Sequence, residues 1–84
     1  MAKDLVLNSV NNEYADRCVD FIVRADGSFG YKEFRRDVED NGAWFVIASF
    51  DDKVFARYED AVESAVKNIG WLREAIERVP RFTP

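Results

Sequence analysis

Three pairs of adjacent carboxylates, Glu39/Asp40, Asp51/Asp52 and Glu59/Asp60, are the groups in this chain best equipped for chemistry. Paired acids can serve general acid–base catalysis or hold a divalent cation. Each pair here falls in a turn or at a helix start, where acids more commonly meet solvent or complement the helix dipole. The run at Asp51 lacks the ligand repeat of a calcium-binding loop. The chain has no histidine, so it lacks the commonest general base and the commonest metal ligand. Its single cysteine, Cys18, can build neither a thiolate zinc site nor an intrachain disulfide. Cys18 lies beside Asp20 in a strand pattern and reads as a small buried hydrophobe rather than a reactive thiol. Arg35 and Arg36 could grip a phosphate or carboxylate. Beside Asp37 they read instead as members of cross-strand ion pairs. The four glycines form no phosphate-binding or dinucleotide-binding motif. Neither catalysis, a metal nor a cofactor is expected.

The charge layout points elsewhere. Net charge is −4 over 84 residues, but residues 37–63 hold eight acids against Lys53 and Arg57. Those acids are Asp37, Glu39, Asp40, Asp51, Asp52, Glu59, Asp60 and Glu63. A chain of this sign lacks the basic surface that neutralises phosphates, so direct nucleic-acid binding is not expected. An acidic face suits a protein partner with a basic surface, such as a nucleic-acid-handling complex.

The elements that must position these residues follow from periodicity. The organising stretch is 58–79. At 100° per residue, Val62, Ala65, Val66, Ile69, Leu72 and Ile76 share one stripe, and Glu59, Asp60, Glu63, Lys67, Glu74 and Arg78 lie opposite. The spacing predicts one long C-terminal amphipathic helix, ended by Pro80, with 80–84 as a tail. Trp71 falls on its polar side, exposed for a partner. The alternative is a break at Gly70, since glycine costs about 1 kcal/mol relative to alanine within a helix; a second segment would then bury Trp71, Leu72, Ala75, Ile76 and Val79.

Before the helix, 18–56 reads as an antiparallel meander. Alternation marks a strand at 18–24, and Asp26-Gly27 supplies a hairpin turn. A returning strand at 29–38 has its alternation interrupted at Phe34, which a bulge near Lys32–Glu33 would reconcile. A second turn carries Asn41-Gly42. The strand at 43–50 is apolar on both faces, so it is expected to be central and most buried. A short edge strand follows at 54–56. The N-terminal segment, 1–17, is ambiguous between strand and helix, with a short edge strand preferred. The expectation is a single α+β domain of three or four antiparallel strands with the helix packed on one face. One helix covers one face, leaving Phe34, Phe45 and Ile47 to be covered by the N-terminal segment, a second copy or a partner.

The single cysteine fits a reducing compartment. No apolar run approaches the ~20 residues that span a bilayer, and the N-terminus lacks a signal-peptide pattern. A cytoplasmic location with no membrane association is expected.

The run Asp26-Gly27-Ser28-Phe29-Gly30-Tyr31-Lys32-Glu33-Phe34-Arg35-Arg36-Asp37-Val38-Glu39-Asp40, followed by Trp44-Phe45-Val46-Ile47, resembles a type of small uncharacterised bacterial protein over roughly 18–76. That resemblance implies no activity. In size and charge the chain is also similar to phage-encoded anti-CRISPR proteins, which share no common motif. This likeness implies a non-enzymatic inhibitor that blocks a basic nucleic-acid-binding surface. Asp37, Glu39, Asp40, Asp51, Asp52, Glu59, Asp60, Glu63 and Trp71 are the candidate partner-binding residues. A homodimeric structural or regulatory domain is the alternative.

Overall fold

The computed structural model describes residues 4–37, 42–50 and 52–78. Its element order is β1 (Leu5–Asn11), β2 (Arg17–Val23), β3 (Phe29–Asp37), β4 (Ala43–Ala48), α1 (Tyr58–Asn68) and α2 (Leu72–Glu77). The four strands form one antiparallel sheet in the order β1-β2-β3-β4. This is the expected α+β meander, with the N-terminal segment supplying a full seven-residue edge strand.

The β2–β3 hairpin closes as the Asp26-Gly27 signal requires. Gly27 adopts φ of 87°, a left-handed conformation that costs other L-residues steric strain. Arg24 N–H donates to the Ser28 carbonyl at 2.8 Å, and Asp26 Oδ1 accepts from the Ser28 amide and hydroxyl at 2.9 and 2.7 Å. Those bonds, hydroxyl first, hold the Asp26 carboxyl below its ordinary range.

Cross-strand partners share a face of the sheet. On the helical side Val10 lies opposite Val19, and Phe21 opposite Tyr31. All four are buried, and α1 and α2 cover them with Ala61, Val62, Ala65, Ile69, Leu72 and Ala75. The aromatic rings interlock: Phe21 meets Tyr58 edge-on at 5.9 Å and Tyr31 meets Phe50 at 4.6 Å. The Tyr31 hydroxyl ends at Ser64 Oγ (2.9 Å) and accepts from Asn68 Nδ2 (3.2 Å), so the ring is buried without stranding its oxygen.

Four expectations need correction. The helix is not continuous over 58–79: α1 has 11 residues, and Ile69 takes extended geometry (φ −120°, ψ 103°) before α2. A straight 22-residue helix would run ~33 Å, whereas a seven-residue strand offers ~24 Å. The break lets α1 pack on β3 while α2 turns to β1, and it buries both Ile69 and Leu72. Secondly, β4 is not the central strand but a sheet edge, and it ends at Ala48. Phe50 then takes φ of 53°, leaving the strand and turning its ring to Tyr31. Thirdly, 54–56 is no strand; Phe55 makes a single bridge to Phe29. Lastly, a register shift does occur beside Glu33, but the extra residue is Ile47 on β4, and β3 alternates regularly through Phe34 against β2. The predicted tail at 80–84 lies outside the described residues. Among the described residues no helix is long and apolar enough to cross a membrane.

Candidate functional site

The strand register sorts the candidate residues onto two surfaces. Phe34 of β3 lies opposite Cys18 on β2 and opposite Val46 on β4; Arg36 lies opposite Trp44. Phe34, Trp44 and Val46 therefore share the open face of the sheet, away from the helices, with Cys18, Asp20 and Ile22. Phe45 is paired with Arg35 on the helical side, beyond the reach of the core. The expected grouping of Phe34, Phe45 and Ile47 on one face is thus split by the pleat and by the bulge at Ile47. Trp44 and Val46 replace Phe45 beside Phe34; the sequence offered them only through alternation, and the bulge reversed the assignment.

At β4 the edge is uncovered among the described residues. Trp44, Phe45, Val46 and Ile47 are 43%, 41%, 54% and 43% exposed. The strand reads Ala-Trp-Phe-Val-Ile-Ala, with no charge and no proline. No other strand lies on its outer side among the described residues. Edge strands are ordinarily protected by lysine, proline or a covering segment, because their outward N–H and C=O groups template pairing with another chain. Among the described residues the protection found here is the bulge at Ile47. Arg35 and Arg36 flank the strip and are exposed, and neither forms an ion pair with a described carboxylate. The predicted cross-strand pairing of these arginines is not found among the described residues.

Next to the edge, Cys18, Asp20, Phe34 and Trp44 line a shallow hollow of about 260 Å³. The Cys18 thiol is pushed up to about 12, first by burial and then by the charge of Asp20, to which Sγ also donates at 3.4 Å. Asp20 is further occupied by the Ser9 hydroxyl at 2.7 Å.

The acidic candidates do not form one field. Glu59 is held by Arg57 at 2.7 Å, and Glu63 pairs with Lys67 at 3.6 Å. The Glu59 carboxyl lies below its ordinary range, first through its own backbone amide and then through Arg57. Asp60 and Glu63 line a shallow groove with Phe55, Ser64 and Lys67, while Asp52 is exposed in the turn after β4. Asp52 and Asp60 have no ion-pair partner within 4 Å among the described residues. Glu39, Asp40 and Asp51 lie outside the described residues, as does the side chain of Asp37. No group of three His, Cys, Asp or Glu side chains that could hold a metal occurs among the described residues.

Trp71 is half-buried and works within the chain. Its Nε1–H donates to Glu33 Oε2 at 3.0 Å, and that carboxylate also faces Arg17 at 3.9 Å. The indole packs against the core from the junction between the helices.

No protein-family model matches this chain, and neither a curated protein nor a solved structure does.

Proposed function

We propose that this chain is a non-enzymatic protein-binding module whose contact surface is the β4 edge with the open sheet face beside it. One observation carries the reading: β4 presents four consecutive large apolar side chains, each two-fifths or more exposed, on an edge with no covering strand among the described residues. Exposed apolar strips of this kind mark interaction surfaces, and bare edges bind by adding a strand.

The acidic version of the same function is a partner's basic surface blocked by carboxylates, as the anti-CRISPR likeness implies. Asp52 and Asp60 support it, as exposed acids without an ion-pair partner among the described residues. Glu59 and Glu63 support it less, since Arg57 and Lys67 already neutralise them. The β4 strip is therefore the stronger determinant.

The two are separable. Wild type, Val46→Lys and an Asp60→Lys/Glu63→Lys variant are immobilised and the proteins retained from a cell lysate are quantified. The β4 reading expects Val46→Lys to lose at least tenfold of a specific retained protein and the acidic variant to keep it. The opposite pattern would transfer the function to the acids, and equal retention of the same protein by all three would refute its binding through β4.

A further inference from the structure

We propose that the occupant of the β4 edge is a second copy of this chain, added antiparallel about a two-fold axis through Phe45, so that two four-stranded sheets become one of eight. The proposal rests on the reading of β4 as the contact surface and names its partner.

Symmetry limits the choices. Two identical edges joined side by side and antiparallel are related by an axis perpendicular to the sheet. Opposed residues then share a face, so the axis passes through a residue position rather than between two. Leaving out the bulged Ile47, the strip holds three such centres. A centre at Trp44 sets Val46 against the partner's Gly42 and Phe45 against the partner's Ala43. A centre at Val46 sets Phe45 against the partner's Ile47, the bulged residue, and Trp44 against the partner's Ala48. A centre at Phe45 keeps Trp44, Phe45 and Val46 within the regular part of the strand. It pairs Phe45 with the partner's Phe45 and Trp44 with the partner's Val46, an aromatic on a β-branched residue. The open face then carries a continuous row of Phe34, Val46 and Trp44 from both copies.

Charge within the strand does not oppose this arrangement. β4 has no charged residue. The flanking Arg35 and Arg36 sit one strand inward, so their counterparts across the axis are three strand spacings away, about 14 Å. That exceeds the ~8 Å Debye length at physiological ionic strength. The opposite edge is less suited. In β1 the exposed apolar run stops at Leu7, where the register shifts, and Asn8, Ser9 and Asn11 follow. Joining β4 to β1 would also be head-to-tail, an arrangement that gives a ring or an open filament rather than a two-fold dimer.

The area sets the strength. Large side chains present roughly 150–250 Å² each, so the exposures along Trp44–Ile47 leave roughly 300–400 Å² per copy to cover. Two copies with their paired backbone approach ~1,000 Å², the low end for a specific interface. An interface of that size is a weak one, and dilution separates the dimer.

The test uses the full chain. Sedimentation velocity from low to high micromolar concentration should show wild type passing from monomer to dimer, with β4 amides gaining hydrogen-exchange protection over the same range. For register, Phe45→Cys is made in a Cys18→Ala background. Opposed Cα atoms about 4.5–5.5 Å apart fall within the ~4.4–6.8 Å that a disulfide spans. Phe45→Cys should form a covalent dimer at least tenfold faster than Trp44→Cys, and Trp44→Cys mixed with Val46→Cys should cross-link as well. Circular dichroism confirms that each variant is folded, and the wild-type measurements need no substitution. Wild type that stays monomeric, equal cross-linking at 44 and 45, or growth into open-ended oligomers would each overturn the proposal. A monomer whose lysate retention still depends on Val46 would sink the second copy and leave the β4 reading standing. Loss of both would sink both.

Discussion

Tyr31→Phe removes one oxygen from the centre of the core and nothing else. The ring is fully buried between Phe21, Phe50 and Phe55. Its hydroxyl joins Ser64 Oγ at 2.9 Å and accepts from Asn68 Nδ2 at 3.2 Å. The magnitude depends on what is left behind. Asn68 Nδ2 also reaches the Ser64 carbonyl at 2.9 Å and Ser64 Oγ at 3.3 Å, so neither polar side chain is stranded by the substitution. The loss is then one net hydrogen bond, about 1 kcal/mol, and not the larger penalty of an orphaned buried group. For a domain of this size that corresponds to a Tm lower by ~4–8 °C. Truncation to alanine would cost about 3–5 kcal/mol, a large part of a stability of roughly 4–13 kcal/mol for 84 residues. Urea titration followed by Trp44 and Trp71 emission measures the loss, and an unchanged m-value would show that only stability moved. A double-mutant cycle with Ser64→Ala should return a coupling of about 0.5–1 kcal/mol. A neutral Tyr31→Phe with zero coupling would refute the hydrogen bond, and a loss above ~2 kcal/mol would refute the claim that Ser64 and Asn68 satisfy each other.

Two further outcomes are expected. Gly70 is exposed and lies outside the positive-φ region, and a methyl group added there would meet nothing within 4 Å; Gly70→Ala should therefore stabilise the fold against urea by about 0.4–1 kcal/mol, and destabilisation would show that the break requires glycine. The Cys18 thiol at about 12, against an ordinary 9.0, should alkylate two to three orders of magnitude more slowly at pH 8 in the native chain than in the urea-unfolded chain. Because this pKa is raised on folding, its contribution to stability is full below pH 9 and is lost as pH climbs towards 12; native alkylation within tenfold of the unfolded rate would contradict both statements.

Local signals were legible and global placement was not. Asp26-Gly27 names its hairpin because the left-handed φ it supplies is a purely local requirement. The stripe Val62, Ala65, Ile69 and Leu72 names the buried side of the helical region, and all four are buried. The same stripe could not reveal the extended residue at Ile69, because its side chain stays on the core side whether the helix continues or breaks. Phe45 and Ile47 were assigned one face by strict alternation, and a single extra residue in β4 undid the assignment. Trp71 read as exposed because Glu33, its hydrogen-bond partner, is 38 residues away.

β4 holds the most instructive mismatch. Its pattern, apolar on both faces, asks for burial on both sides, yet the meander order leaves β2 and β3 inside and β4 at the rim. Fully burying a large apolar side chain contributes about 1.5–3 kcal/mol. Trp44, Phe45, Val46 and Ile47 are already about half covered, and an added strand covers their edge-facing sides while the open sheet face stays in solvent. Association itself costs an estimated ~4–15 kcal/mol in lost freedom. Against that cost stand the lateral contacts of the strip and the paired backbone of the proposed dimer. In the proposed dimer a charge placed at Phe45 or Val46 must be desolvated against the opposing strand, so sedimentation velocity should show either variant as a monomer with its circular dichroism unchanged, the core beneath β2 and β3 being intact.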